Sequence, residues 1–234
     1  MNFHTVHGLF TLWNQVFGVG GPENRDQKGK GMVTMTKNVG FLKEPGTKER
    51  IKAPSVLNRV NAPVRRRIER IKLLVLDVDG VLTDGRLFYH DDGTESKAFD
   101  VRDGHGIKML RHASIESALI SGRSSPMVEK RAVDLGITEV TQGVRDKVPI
   151  LEKLLSQKGL KPEHAAFVGD DVVDLTVMNR VGFAVAVADA SEFLFDTAHY
   201  VTVAPGGRGA VREVAELILA VKGLWEKVAQ TYFG

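Results

Sequence analysis

A doubly wound α/β fold, a parallel sheet with helices on both faces, is the architecture this sequence predicts for residues 71–234. Three observations predict it. Short apolar runs of strand length alternate with amphipathic segments of helix length from Ile71 onward. The residues that follow those runs are repeatedly acidic, hydroxyl-bearing or glycine, as in Asp77-Val78-Asp79-Gly80, Ser121-Gly122-Arg123 and Gly169-Asp170-Asp171. The composition, 43% hydrophobic and 26% charged over 234 residues, is that of a chain able to bury a core, and argues against wholesale disorder or a coiled coil.

The elements follow in order. A first strand is read near Lys72 to Leu76, then a β-hairpin in which Leu87 to His90 and Ser96 to Phe99 flank Asp91-Asp92-Gly93. Strands are expected near Ser117 to Ile120, Glu139 to Thr141, Ala165 to Val168, Ala184 to Val187 and Tyr200 to Val203. Helices of about three turns are expected between them, at Pro126 to Leu135, Lys147 to Lys158 and Val172 to Val181. Val211, Val214, Ile218, Val221, Trp225 and Val228 make one apolar stripe on a long final helix.

Residues 1–70 read as a separate extension. They are glycine-rich at Gly18 to Gly21 and broken by Pro22, Pro45, Pro54 and Pro63, and are expected to be mostly disordered apart from a short amphipathic helix at Leu9 to Phe17. They hold 13 Lys/Arg against 5 Asp/Glu, a charge of +8, which leaves the remainder at −5. The net +3 is therefore no argument that the folded part binds nucleic acid. Arg65, Arg66, Arg67 and Arg70 are read as a solvated approach to the first strand. The absence of cysteine removes disulfides, thiolate metal sites and a cysteine nucleophile together. No apolar run approaches the ~20 residues of a membrane span, and the protein is expected in the cytoplasm.

In an open parallel sheet, ligands bind beyond the carboxyl ends of the strands. There this sequence places Asp77 and Asp79 after the first strand, Ser121 and Arg123 after the second, and Asp170, Asp171 and Asp174 after the fourth, while Lys147 opens a helix after the third. Converging carboxylates repel one another, and a hard cation such as Mg²⁺, which prefers oxygen ligands, relieves the repulsion. Carboxylates, a cation, a hydroxyl and a lysine together suit phosphoryl transfer through an aspartyl-phosphate, with one Asp attacking and the second moving the proton.

Asp77-Val78-Asp79-Gly80-Val81-Leu82-Thr83-Asp84-Gly85, Ile120-Ser121-Gly122-Arg123, Lys147 and Gly169-Asp170-Asp171 resemble the four motifs of the haloacid dehalogenase superfamily. The longer stretches Lys97 to Gly104 and Gly206 to Glu213 resemble, within it, the 3-deoxy-D-manno-octulosonate 8-phosphate phosphatase family, over about Ile71 to Lys222. The resemblance implies a Rossmann-like fold, Asp77 as nucleophile and Asp79 as acid/base. It implies Mg²⁺ held by Asp77, the Asp79 backbone carbonyl and Asp170, with Asp171 and Asp174 in support. It further implies substrate contacts from Asp79, Asp100, Val101, Arg102, Asp103, Gly104, Lys108, Arg123, Arg131 and Lys147. Arg208 joins these as a cation for a substrate bearing both phosphate and carboxylate. Ser121, Asp100 and Lys108 stand where threonine, asparagine and arginine are usual.

There is no room between the motifs for a separate cap domain, so water exclusion is expected from the hairpin of a neighbouring subunit, and the resemblance implies that the assembly is a homotetramer. The implied reaction is hydrolysis of the octulosonate 8-phosphate in lipopolysaccharide biosynthesis, with a nine-carbon sugar acid 9-phosphate as the alternative substrate. A receiver-like signalling domain is the rival of a different class. It would need its phosphoacceptor after the third strand, where the sequence reads Thr141-Gln142-Gly143.

Overall fold

The computed structural model describes residues 54–233, and the helix expected at Leu9 to Phe17 lies outside them. In chain order the described helices and strands are α1 (Ala62–Glu69), β1 (Leu73–Leu76), β2 (Phe88–Tyr89), β3 (Glu95–Ser96), α2 (Val101–His112), β4 (Glu116–Ile120), α3 (Pro126–Leu135) and β5 (Glu139–Thr141). They continue with α4 (Val148–Gln157), β6 (Ala165–Gly169), α5 (Leu175–Met178), β7 (Phe183–Ala186), β8 (Tyr200–Val201), α6 (Ala210–Val221) and α7 (Trp225–Phe233).

Six strands form one parallel sheet in the order β5-β4-β1-β6-β7-β8, the doubly wound arrangement expected. Leu76 lies opposite Leu119 of β4 and Val168 of β6, so the residues just past all three strands emerge at one edge. That edge is the switch point, where successive connections turn to opposite sides of the sheet. The strand β1 is apolar throughout because both its faces are covered. Leu74 and Leu76 pack with Ile107, Leu110, Val214 and Ile218, while Leu73 and Val75 pack with Leu151, Leu155 and Val177 on the other side.

Three readings change. The boundary drawn at Arg70 moves toward the N-terminus, because Val56, Val60 and Ile68 are 4%, 6% and 0% exposed within the main core. Pro63, read as a breaker, sits in the first turn of α1, where its missing N–H has no intrahelical partner to lose. The Asn61 side chain caps that turn by accepting the Val64 N–H at 3.1 Å. Two of the four arginines bind backbone rather than solvent: Arg65 donates to the carbonyls of Val60 and Leu57, and Arg67 to that of Gly182.

Next, the long final helix is two. Gly223 takes φ 66° and ends α6, after which α7 carries Val228 back into the same core. Finally, Val172 to Val181 is a 3-10 turn, Val172–Asp174, followed by the single turn of α5. The hairpin forms as expected, with Phe88 opposite Ser96 and Tyr89 opposite Glu95. It is a separate two-stranded sheet whose Phe88 and Tyr89 are 50% and 68% exposed. Among the described residues no helix is long and apolar enough to cross a membrane.

Candidate active site

Each strand of the switch point delivers one polar side chain to the same edge. Asp77 is the first residue beyond β1, and its N–H donates to the Val168 carbonyl at 3.1 Å, extending the ladder by one step. Ser121 holds the same position beyond β4, its N–H donating to Thr141 at 2.9 Å, and Asp170 follows β6. Lys147 precedes α4 and turns inward. The cleft they line, with Asp79 and Arg123, has a volume of about 510 Å³. Arg145, which no motif marked, lines it too.

The electrostatics of the floor are set by burial. Lys147 Nζ lies 2.9 Å from Asp77 Oδ1 and 2.7 Å from Asp174 Oδ1. Burial pushes the Asp77 carboxyl up to about 6 against the pull of Lys147, with Asp174 adding to the rise. Asp170 is pushed up to about 8, first by burial and then by its neighbours Asp77, Asp174 and Asp171. Burial opposes the charge on Lys147, yet Asp77 and Asp174 hold its ammonium above the ordinary lysine value.

These residues suit a hard divalent cation. Asp77, Asp170 and Asp174 each place a carboxylate oxygen within 4.8 Å of the others, an all-oxygen donor set. Asp174 is also engaged by Lys147 and by the Asp170 N–H at 3.1 Å, which makes it a support for the other two. The Asp170 carboxylate rests against Gly80, whose φ of +88° and missing Cβ are both required, since a Cβ there would collide with it.

Asp79 points away from that cluster. Its carboxylate pairs with the ammonium of Lys97, whose side chain is wholly buried at the exit of the hairpin. Arg123 stands over the same carboxylate with Nε 3.9 Å from Oδ2, and is itself held by the Tyr89 hydroxyl at 3.3 Å and by Glu95 at 3.6 Å. Sequence reasoning missed Lys97, Glu95 and Tyr89. For Lys97 the one signal was the unbroken match from Lys97 to Gly104, which marks a position without giving a role, while Tyr89 and Glu95 lie outside that match. The hairpin thus braces its own cleft.

The remaining expected contacts gather around the start of α2. Asp100 caps it by accepting the Arg102 N–H at 2.6 Å. The Arg102 guanidinium bonds Asp100 at 2.9 Å and the Arg208 carbonyl at 3.2 Å. Arg131 donates to the Asp100 carbonyl at 2.9 Å and crosses the Phe99 ring, passing close to Gly104, where a side chain would obstruct it. Val101 and Lys108 are exposed. Asp103, expected to touch substrate, is 1% exposed and accepts the N–H groups of Gly209 and Arg212. Among the described residues lining the cleft, none of Asp100, Val101, Arg102, Asp103, Gly104, Lys108, Arg131 or Arg208 appears.

Comparison with known proteins agrees with this fold. Residues 134–211 match the model of a family described as haloacid dehalogenase-like hydrolase. A relative from Escherichia coli, the 3-deoxy-D-manno-octulosonate 8-phosphate phosphatase KdsC, is 49% identical over 164 residues, covering 70% of this chain and 87% of its own. The crystal structure of the Yersinia pestis phosphatase of the same name superposes with a TM-score of 0.70 at 47% identity, over 71% of this chain and 90% of that one. That from Moraxella catarrhalis, in complex with magnesium ion, phosphate ion and a KDO molecule, gives a TM-score of 0.71 at 41% identity, over 72% and 97%. With the fold, the four motifs and a relative of this closeness in agreement, the chain belongs to the 3-deoxy-D-manno-octulosonate 8-phosphate phosphatase family of haloacid dehalogenase-like hydrolases.

Proposed function

We propose that the protein is a Mg²⁺-dependent phosphatase that converts 3-deoxy-D-manno-octulosonate 8-phosphate to 3-deoxy-D-manno-octulosonate and phosphate, a step of lipopolysaccharide biosynthesis. The observation that carries the reading is the buried carboxylate of Asp77 at the end of β1, held by Lys147 and facing Asp170. Held by Asp77, Asp170 and the Asp79 backbone carbonyl, Mg²⁺ supplies charge neutralisation between the anionic nucleophile and the phosphate.

The chain's own residues do the rest. Asp77 attacks phosphorus in line as the sugar oxygen leaves, forming an aspartyl-phosphate. Asp79 gives that oxygen a proton, then takes one from the water that cleaves the intermediate. The Lys147 ammonium and the Ser121 hydroxyl hold equatorial phosphoryl oxygens, and Arg123 at the mouth presents a cation to the sugar's carboxylate. A cytoplasmic location goes with the reading, since substrate and product are free sugar acids.

We assign Asp100, Val101, Arg102, Lys108, Arg131 and Arg208 to substrate binding across a subunit boundary in a homotetramer. Two features support this: these residues stand apart from their own chain's cleft, and the hairpin exposes Phe88 and Tyr89. A phosphate-release screen over phosphorylated sugars tests the substrate. The octulosonate 8-phosphate is expected to exceed other sugar phosphates in kcat/KM by at least about tenfold, a difference near 1.4 kcal/mol in transition-state binding. Preference for a nine-carbon acid 9-phosphate or for a neutral sugar phosphate would overturn the substrate assignment and leave the chemistry standing.

A further inference from the structure

Asp103 lies in the first turn of α2, buried and not among the residues that line the cleft, and yet it is tied to the loop that presses on the catalytic backbone. Its two carboxylate oxygens accept the Gly209 N–H at 3.1 Å and the Arg212 N–H at 2.7 Å, which makes it a cap, supplied from another helix, for the start of α6. No side chain of α6's own N-cap position does this, because that position is Gly209.

The loop Gly206–Gly209 is thereby fixed at its far end. At its near end the Gly206 N–H donates to Asp189 at 2.8 Å and the Gly207 N–H donates to the Val81 carbonyl at 2.8 Å. Between these anchors the loop lies against the segment after β1 with no side chain in between. A Cβ at Gly206 would strike the Gly80 carbonyl, and one at Gly207 would strike the backbone at Thr83 and Asp84. Gly80 is in turn the neighbour of Asp79, and abuts the Asp170 carboxylate. A displacement at Gly209 is therefore passed through backbone contacts, which do not yield as flexible side chains do, to the residue that carries Asp79.

From this chain of contacts we infer that Asp103 is a positioning residue for the acid/base Asp79: by capping α6 it holds the Gly206–Gly209 loop against Gly80–Asp84 and so keeps Asp79 aligned for proton transfer. The inference rests on the phosphatase reading. It does not make Asp103 touch substrate. Burial raises its pKa and the two N–H donors work against that rise, as they would for a carboxylate whose task is to fix backbone.

The loss of an aligned general acid has a signature that loss of stability lacks. An alkoxide needs a proton to leave, whereas p-nitrophenolate leaves without one. The test compares kcat/KM for a small alkyl phosphate and for p-nitrophenyl phosphate, neither bearing the sugar acid, in the wild-type full chain, in Asp103→Asn and in Asp189→Ala. Asp103→Asn is expected to lower the alkyl value at least about tenfold more than the aryl value. Asp189→Ala, at an exposed side chain, is expected to do the same in lesser degree, and decides the matter if Asp103→Asn does not fold. Equal losses on both esters, or no loss in a folded variant, would overturn the inference. A wild-type chain that hydrolyses neither ester would overturn the phosphatase reading itself.

Discussion

Asp77 is costly to bury and useful for the same reason. Desolvation raises its carboxyl to about 6 against the pull of Lys147 at 2.9 Å, which suits the role of nucleophile proposed for it near neutral pH. Asp77→Asn removes both the attacking oxygen and an anionic ligand while keeping volume. The variant is expected to retain the wild-type circular dichroism spectrum and to lose turnover by at least about a thousandfold; turnover within tenfold of wild type would refute the role. The raised carboxyls also set a pH dependence with a definite sign. A group whose pKa is higher folded than unfolded binds its proton more tightly in the folded chain, so stability falls as pH rises from the ordinary carboxylate range through about 8, the value for Asp170. Binding a divalent cation needs those carboxyls deprotonated and relieves their repulsion. The rise in Tm on replacing EDTA with Mg²⁺ is therefore expected to be larger at pH 8 than at pH 6, and an equal or smaller rise at pH 8 would count against the site.

At the scale of elements, position past a strand was readable and contact across the chain was not. Asp77, Ser121 and Asp170 could be found because each follows a short apolar run, and parallel pairing then brings them together. The pairing of Lys97 and the capping contacts of Asp103 escaped because their partners stand at Asp79 and at Gly209 and Arg212, distances in sequence that no local pattern spans. The segment 54–70 was misread for a different reason: proline breaks a helix interior yet suits a first turn, and Pro63 occupies one. Val56, Val60 and Ile68 are buried against α6 and its neighbours, and at roughly 1.5–3 kcal/mol each their removal costs about 5 kcal/mol or more, comparable to the whole stability of many domains. A chain beginning at Pro54 is expected to melt within a few degrees of the full chain, and one beginning at Ile71 to be unfolded or insoluble. A stable, active chain from Ile71 would restore the original boundary.

For the whole molecule, the division of the expected binding residues is the leading fact. Asp77, Asp79, Ser121, Arg123, Lys147 and Asp170 share one cleft, while Asp100, Arg102, Arg131 and Arg208 form a second group around the start of α2. The proposed assembly of several copies would join one group to the other and cover Phe88 and Tyr89, which a two-stranded sheet alone leaves open. Phe88→Asp is expected to dissociate the assembly in sedimentation and to lower kcat/KM for the sugar phosphate far more than for p-nitrophenyl phosphate; a fully active wild-type monomer would contradict the shared site. Beneath that assembly the central claim is chemical: Asp77 transfers the phosphoryl group with Mg²⁺ in attendance. The direct test is phosphate release from 3-deoxy-D-manno-octulosonate 8-phosphate by the wild-type chain and by Asp77→Asn, each with Mg²⁺ and with EDTA. Release by the wild type with Mg²⁺ alone is the predicted result, and release that persists in EDTA or in Asp77→Asn would contradict the account.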